Sequence, residues 1–182
     1  MTIHYGNDYV LIENIQEENI SKCVTTRRMN QASFFGNVVS DIESEKWIRM
    51  HSENPNNILL EILYKPAKCF VGTIGFVRQN EEIEIGRLSI YTPAVKELIR
   101  TGVNPEVLHK VVEMVSKLTI DYLFGCTDAK TLVCNVLANN RYSNALCAQL
   151  GGMPQKKQLE INGVFLDVLH YEMTRAEYLE RG

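Results

Sequence analysis

Two acidic residues, Glu82 and Glu84, alternate with Ile83 and Ile85 along a short β-like run, so the carboxylates fall on the face opposite the apolar one. A carboxylate there becomes a useful base near neutrality only if burial or a like charge raises its affinity for protons. The run leads through TPAVKELIRTGVN into a long helix that Asn104 caps, Pro105 opens and Gly125 stops. A strand feeding a capped helix is one way to build an anion site, because the free N–H groups of a helix N-terminus attract phosphate. The plain alternative is a core strand and a core helix that bind nothing. His4, His51, His109 and His170 show no metal-binding spacing such as H-E-x-x-H, so no metal is expected. Cys23, Cys69, Cys126, Cys134 and Cys147 form no C-x-x-C pair, which suggests free thiols in a reducing compartment rather than a disulfide framework or a zinc site.

Composition narrows the setting for this chemistry. Hydrophobic residues make up 45% and charged residues 23%, as in a soluble globular protein, and 182 residues suit one domain over 1–182. A net charge of -3 argues against a nucleic-acid grip resting on bulk charge. The N-terminus lacks a basic start followed by an apolar run, and no apolar run approaches the ~18 residues of a membrane span. These readings point to a cytoplasmic protein without membrane or nucleic-acid partners.

The elements that must hold the chemistry follow from periodicity. Residues 9–15 suit a strand, and Glu17 to Gln31 a helix with Arg27 and Arg28 near its end. Segment 32–41 reads as a loop, and Ser40 or Asp41 can cap a second helix carrying Ile42, Trp47, Ile48 and Met50. Runs 58–64, 69–77 and 82–91 have short polar connections and predict an antiparallel meander. Gly72 and Gly75 within it mark bends or a close approach. In the long helix, Leu108, Val111, Val112, Val115, Leu118, Thr119 and Tyr122 form one face. TLVCNVL (131–137) reads as a buried strand parallel to a neighbour, and Asn135 within it needs a polar partner. A helix from Asn139 or Asn140 to Gly151-Gly152 follows, then strands 153–161 and 164–174 joined by Asn162-Gly163, a hairpin signal. The tail AEYLERG suits a last helical turn. The expected class is mixed α/β around one sheet.

That order, with Trp47, Val71-Gly72-Thr73-Ile74-Gly75-Phe76, Glu84-Ile85-Gly86, Asn140-Arg141-Tyr142-Ser143 before Leu150-Gly151, and Asp167-Val168-Leu169 with Tyr171, Arg175, Glu177 and Tyr178, resembles the GNAT superfamily of acyl-CoA-dependent N-acetyltransferases. Within it the chain looks most like the RimJ/RimL branch, with a weaker likeness to amino-sugar N-acetyltransferases. The resemblance implies a mostly antiparallel twisted sheet flanked by helices, with one splayed parallel pair. It implies transfer of an acetyl group from acetyl-CoA to a primary amine, on a protein N-terminus or on a small amine or amino sugar, by direct attack. The other reading is an inactive GNAT-fold domain that binds acyl-CoA or serves in interactions. A homodimer through the closing hairpin stays open.

Residue roles are carried over from the same resemblance. Leu88, Ser89, Ile90 and Tyr91 would bind the pantetheine through their backbone, and Asn140 and Ser143 would contact the cofactor, with an ordinary strand end and a helix cap at Asn140 as the plain readings. The superfamily usually carries Q/R-x-x-G-x-G/A before the long helix; here the loop TPAVKELIRTGVN has only Gly102, with Lys96, Arg100 and Lys110 as nearby cations for the pyrophosphate. Glu84, on the face opposite Ile83 and Ile85, is the first choice for a general base and Glu82 the alternative, with a solvated strand face the plain reading of either. Many members place a Tyr acid seven residues after the motif Asn; that position is Cys147, with Tyr142 and Tyr171 as substitutes. Cys147 as a nucleophile is a further alternative, and a structural cysteine the plain one. Arg27 and Arg28 would suit an anionic acceptor, such as a nucleotide-sugar phosphate or an acidic peptide, and His170 could face it.

Overall fold

The structure is a computed structural model that describes residues 2–30, 39–140, 143, 144, 147–151, 153–161 and 163–181. Arg141, Tyr142, Gly152, Asn162 and positions 32–38 of the expected loop lie outside the described residues.

The elements run β1 (His4–Gly6), β2 (Val10–Asn14), α1 (Ile20–Met29), α2 (Asp41–Glu53), β3 (Asn57–Tyr64), β4 (Cys69–Gln79), β5 (Glu82–Ile90), α3 (Thr92–Arg100), α4 (Pro105–Cys126), β6 (Thr131–Leu137), β7 (Gln155–Ile161), β8 (Val164–Thr174) and α5 (Arg175–Glu180). The strands form one 8-stranded sheet in the order β1-β2-β3-β4-β5-β6-β8-β7. Every neighbouring pair is antiparallel except β5 with β6, which is parallel. This is the expected mixed α/β sheet with one parallel pair.

Strand parity divides the core between the two faces. Ile58, Leu60 and Ile62 of β3 pack with Val111, Val115 and Leu123 of α4, while Leu59 packs with Cys23, Val24 and Ile48 of α1 and α2. The same parity puts Glu61 on the α1 side, where it is fully buried. Its carboxylate accepts from Asn19 Nδ2 at 3.0 Å and from the Gln16 backbone N–H at 3.1 Å, so it closes the start of the first helical segment. Burial pushes this carboxyl above its ordinary value, partly offset by those donors.

Local chemistry sets the helix ends. Ser40 and Glu43 form a reciprocal capping box on α2. Asn104 caps α4 through Glu106 N–H, with Pro105 in its first turn. Two expectations need correction. Gly125 does not stop α4, which continues to Cys126 and is capped at Thr127. The segment expected as a loop after β5 contains α3: Pro93 opens it, Ala94 and Leu98 bury one face, and Arg100 pairs with Glu97.

At the far end of α4, Arg175 donates to the carbonyls of Phe124, Thr127 and Ala129 at 2.6, 2.7 and 2.8 Å. A guanidinium here answers both the orphan carbonyls and the negative end of the helix dipole. Gly72 and Gly75 turn out to be close approaches. A Cβ at Gly72 would lie 2.2 Å from Ser89 O, and one at Gly75 would meet Ile58 O at 2.6 Å and Arg87 Cδ at 3.1 Å.

Candidate active site

The parallel pair is short. β5 and β6 match at Glu82↔Thr131, Ile83↔Leu132 and Glu84↔Val133, and no further pairing between them is described. Each strand stays paired on its other side, β5 with β4 to Ile90 and β6 with β8 to Leu137. The strands therefore part after Glu84, and the edge of β5 that faced β6 is left with unpaired backbone. A cavity of about 430 Å³ lies at this fork, lined among others by Trp47, Glu84, Arg87, Leu88, Asn135 and Asn140.

A bulge decides what β5 presents there. The register with β4 moves from Gly75↔Gly86 to Thr73↔Ser89, so Arg87 and Leu88 together face Ile74. Arg87 absorbs the extra residue with φ 57, a left-handed conformation uncommon for a side chain of its size. Strict alternation would group Arg87 with Ile83 and Ile85; the bulge breaks that parity.

Glu84 is half-buried, and its Oε1 accepts from Asn135 Nδ2 at 3.1 Å. With the amide so oriented, Asn135 Oδ1 faces His170 Nδ1 at 2.9 Å, so that nitrogen carries the proton. His170 Nε2 lies 3.6 Å from Glu172 Oε2. The cross-strand register Asn135↔His170 makes this arrangement, which gives Asn135 the partner it required. His170 is nearly buried and acts on Asn135, behind the cavity wall rather than in it.

Trp47, from α2, gathers three cationic or ionisable groups. Arg27 lies 4.1 Å and Arg87 4.8 Å from the ring, and His51 stacks on it at 4.1 Å. Burial lowers the proton affinity of both guanidiniums and of the His51 imidazole. Burial outweighs the bond of its Nδ1 to Trp47 O at 2.7 Å, so His51 takes up a proton less readily than an ordinary imidazole.

The fold thus brings Glu84, Leu88, Asn140, Ser143, Cys147 and Arg27 to one cavity. Asn140 Oδ1 also accepts from Ser143 N–H at 3.1 Å, as a turn cap does. Ser89 and Ile90 follow along β5 beyond the lining, and Tyr91 comes just after the strand; Ser89 is buried, and Tyr91 packs edge-on to Phe70. Arg100 and Gly102 lie away from the cavity: Arg100 forks onto Glu97 at 2.6 and 2.8 Å, and Gly102 takes φ 98 in the turn after α3. Arg28 pairs with Asp41 at 2.6 Å on the surface.

The cysteines require two corrections. Cys134 and Cys147 are joined by a disulfide, with Cα atoms 6.3 Å apart, which overturns the expectation that all five are free thiols. Their separation of 13 residues hides a proximity created when the chain leaves β6 and turns back. In this oxidised state Cys147 has no thiol proton to donate and no free thiolate to attack with. Cys23, Cys69 and Cys126 are free. Tyr171, the other described substitute acid, is buried and bonds Asn144 Oδ1 at 3.3 Å, outside the lining.

The α4 N-terminus also departs from expectation. Pro105 has no N–H, Glu106 N–H goes to Asn104 Oδ1 at 2.9 Å, and Val107 N–H goes to Asn104 O at 3.0 Å. The preceding N–H groups of Thr101, Gly102 and Val103 bond back to Glu97, Ile99 and Leu98. The donors that an anion would need are already used within the chain.

Arg87 was not singled out by sequence, because its place depends on the bulge. The signal present was a polar residue next to glycine in Glu84-Ile85-Gly86-Arg87, where an interrupted alternation permits a bulge.

No protein-family model matches the sequence, and no curated protein matches it. Solved structures do match the fold. A GCN5-related N-acetyltransferase from Brucella melitensis superposes with TM-score 0.74 at 14% identity, over 97% of this chain and 80% of that one. A nucleotide-linked sugar GNAT gives 0.69 at 10%, over 100% and 95%. The ribosomal-protein-S5-alanine acetyltransferase from Vibrio fischeri gives 0.62 at 14%, over 97% and 98%. The chain therefore has the GNAT fold. Among the described residues, no helix is long and apolar enough to cross a membrane.

Proposed function

We propose that this protein transfers an acetyl group from acetyl-CoA to a primary amine. The observation that carries the reading is the fork between β5 and β6 with the Asn135-anchored Glu84 at its apex. The structural neighbours named as acetyltransferases agree with it.

The residues fit acyl-CoA at one end. The unpaired edge of β5 beyond Glu84 offers backbone donors and acceptors that need partners, as the amides of a pantetheine arm do. The other end fits poorly, because α3 replaces a glycine-rich loop and the α4 donors are used; no pyrophosphate is assigned to them. Bound acetyl-CoA would supply an activated acyl group. This chain would supply a base and a positioned carbonyl site. Asn135 fixes one oxygen of Glu84, and the other makes no hydrogen bond among the described residues. That second oxygen takes the proton from the amine, directly or through water. A positioned base of this kind contributes about 10²–10⁴-fold. Backbone N–H groups of the open β5 edge are the donors at hand for charge on the carbonyl oxygen. With Cys147 in a disulfide, the proton for the leaving thiolate comes from solvent through the open cavity. The acceptor is a protein N-terminus or a small amine or amino sugar.

A second reading is a domain that binds acyl-CoA without turning it over. The used donors at α4 and the absence of a titratable thiol at Cys147 favour it. Calorimetric titration with acetyl-CoA, followed by release of free CoA in the presence of amines, separates the readings. Binding with amine-dependent release supports transfer; binding without release supports the second reading; no binding rejects both.

A further inference from the structure

From the surroundings of Arg87 we infer that the acceptor is a small amine that also carries an anionic group, a carboxylate or a phosphate, and that Arg87 holds this group against the Trp47 face. The inference rests on reading the cavity as the transfer site.

Arg87 is placed at some cost. It occupies the left-handed region at φ 57, and its Cδ passes 3.1 Å from where a Cβ at Gly75 would lie. Its stem and head are half-buried, yet its guanidinium makes no hydrogen bond among the described residues, and its buried Nη1 is without a partner. No ion pair of this guanidinium is described among those residues; Glu84 acts on it only through the field. A guanidinium has five donors in a fork that suits a planar carboxylate or a phosphate, and one taken out of water without a partner is costly. The rest of the chain shows how such groups are normally satisfied: Arg175 uses three carbonyls, and Arg49 forks onto Glu17 at 2.7 Å. Arg87 differs in lining the cavity beside Trp47, where Arg27 adds a second guanidinium at 4.1 Å from the ring. A hydrophobic or neutral acceptor would leave the buried Nη1 without a hydrogen-bond partner. An acceptor with an amine at Glu84 and an anion at Arg87 answers both groups, three residues apart on β5.

The test uses Trp47, the sole tryptophan, as an internal probe. Inorganic phosphate and acetate are titrated separately, with sodium chloride at matched ionic strength as control. The inference expects a saturable change in emission with one or both anions and none with chloride. It expects Arg87→Gln to weaken the response about tenfold or more, and Arg87→Lys, which keeps the charge but not the fork, to fall between. Turnover is then compared for β-alanine against its amide and for phosphoethanolamine against ethanolamine. The anionic member of at least one pair should have kcat/KM about tenfold higher, and Arg87→Gln should erase that preference while sparing acetyl-CoA binding. Which pair responds tells carboxylate from phosphate. An unchanged emission with both anions, an equal response in a folded Arg87→Gln or Arg87→Lys protein, or equal use of neutral and anionic amines overturns the inference. If the anion response depends on Arg87 but acetyl-CoA does not bind, the anion site stands and the transferase reading falls.

Discussion

Arg175 and Arg87 both lie over an aromatic ring, Phe124 at 5.3 Å and Trp47 at 4.8 Å, but their donors have opposite fates. Arg175 closes the C-terminal end of α4 by bonding three carbonyls. Arg87 stands at the fork of β5 and β6, and its guanidinium makes no hydrogen bond among the described residues. The carboxylates repeat the contrast. Glu61 is fully buried and held by Asn19 and Gln16, whereas Glu84 has one donor and a face on the cavity. A polar group whose bonds are complete stabilises the fold; one left incomplete beside a cavity is available to a ligand.

The comparison can be broken first at Glu84. Glu84→Gln should lower kcat by about 10²–10⁴, some 3–5 kcal/mol of barrier, with acetyl-CoA affinity little changed. A loss of only a few-fold would remove Glu84 as the base. Arg175→Ala comes next: it leaves three carbonyls without their donor and should cost about 2–4 kcal/mol in urea unfolding, with the acceptor KM unchanged. If Arg87→Gln destabilised the fold as much, the contrast between the two arginines would fail.

Asn135→Ala frees the Glu84 carboxylate and should reduce kcat about tenfold, with little change in KM. It also removes the His170 contact, so Asn135→Asp, which keeps an acceptor toward His170 but places a like charge against Glu84, should raise the pH at which activity appears. An unmoved pH profile would show that Asn135 serves packing alone.

The smallest effect concerns Glu61. Burial raises its proton affinity in the folded state, so the protonated form is favoured there. Its contribution to stability is therefore fullest below the ordinary value of 4.5 and declines as pH rises through the higher folded value. Glu61→Gln does not titrate, so its stability relative to wild type should improve steadily from pH 4 to pH 8. A constant difference across that range would mean that Asn19 and Gln16 fully compensate the charge.

Much of the frame was legible because its signals are local. The Ser40 and Asn104 caps, the meander from Asn57 to Ile90 and the apolar run of β6 each follow from residues a few positions apart. Strand β1, with three residues, is too short to carry a period, and α3 lies in the segment expected as a loop although Pro93 and the Glu97–Arg100 pair are helix signals. Glu84 was legible as the carboxylate opposite Ile83. Its anchor was not, because Asn135 and His170 meet only through the β6–β8 register. Arg87 was hidden for the same kind of reason: one bulge changes which face a strand residue joins. The Cys134–Cys147 bond depends on a turn after β6 that spacing alone does not specify.

The central claim, that the fork headed by Glu84 transfers an acetyl group from acetyl-CoA to an amine, is tested most directly by following CoA release from acetyl-CoA across a panel of amines, with wild type and Glu84→Gln side by side. The account predicts release that requires an amine and falls about 100-fold or more in the variant. Release that ignores the amine, or is equal in the two proteins, would contradict it.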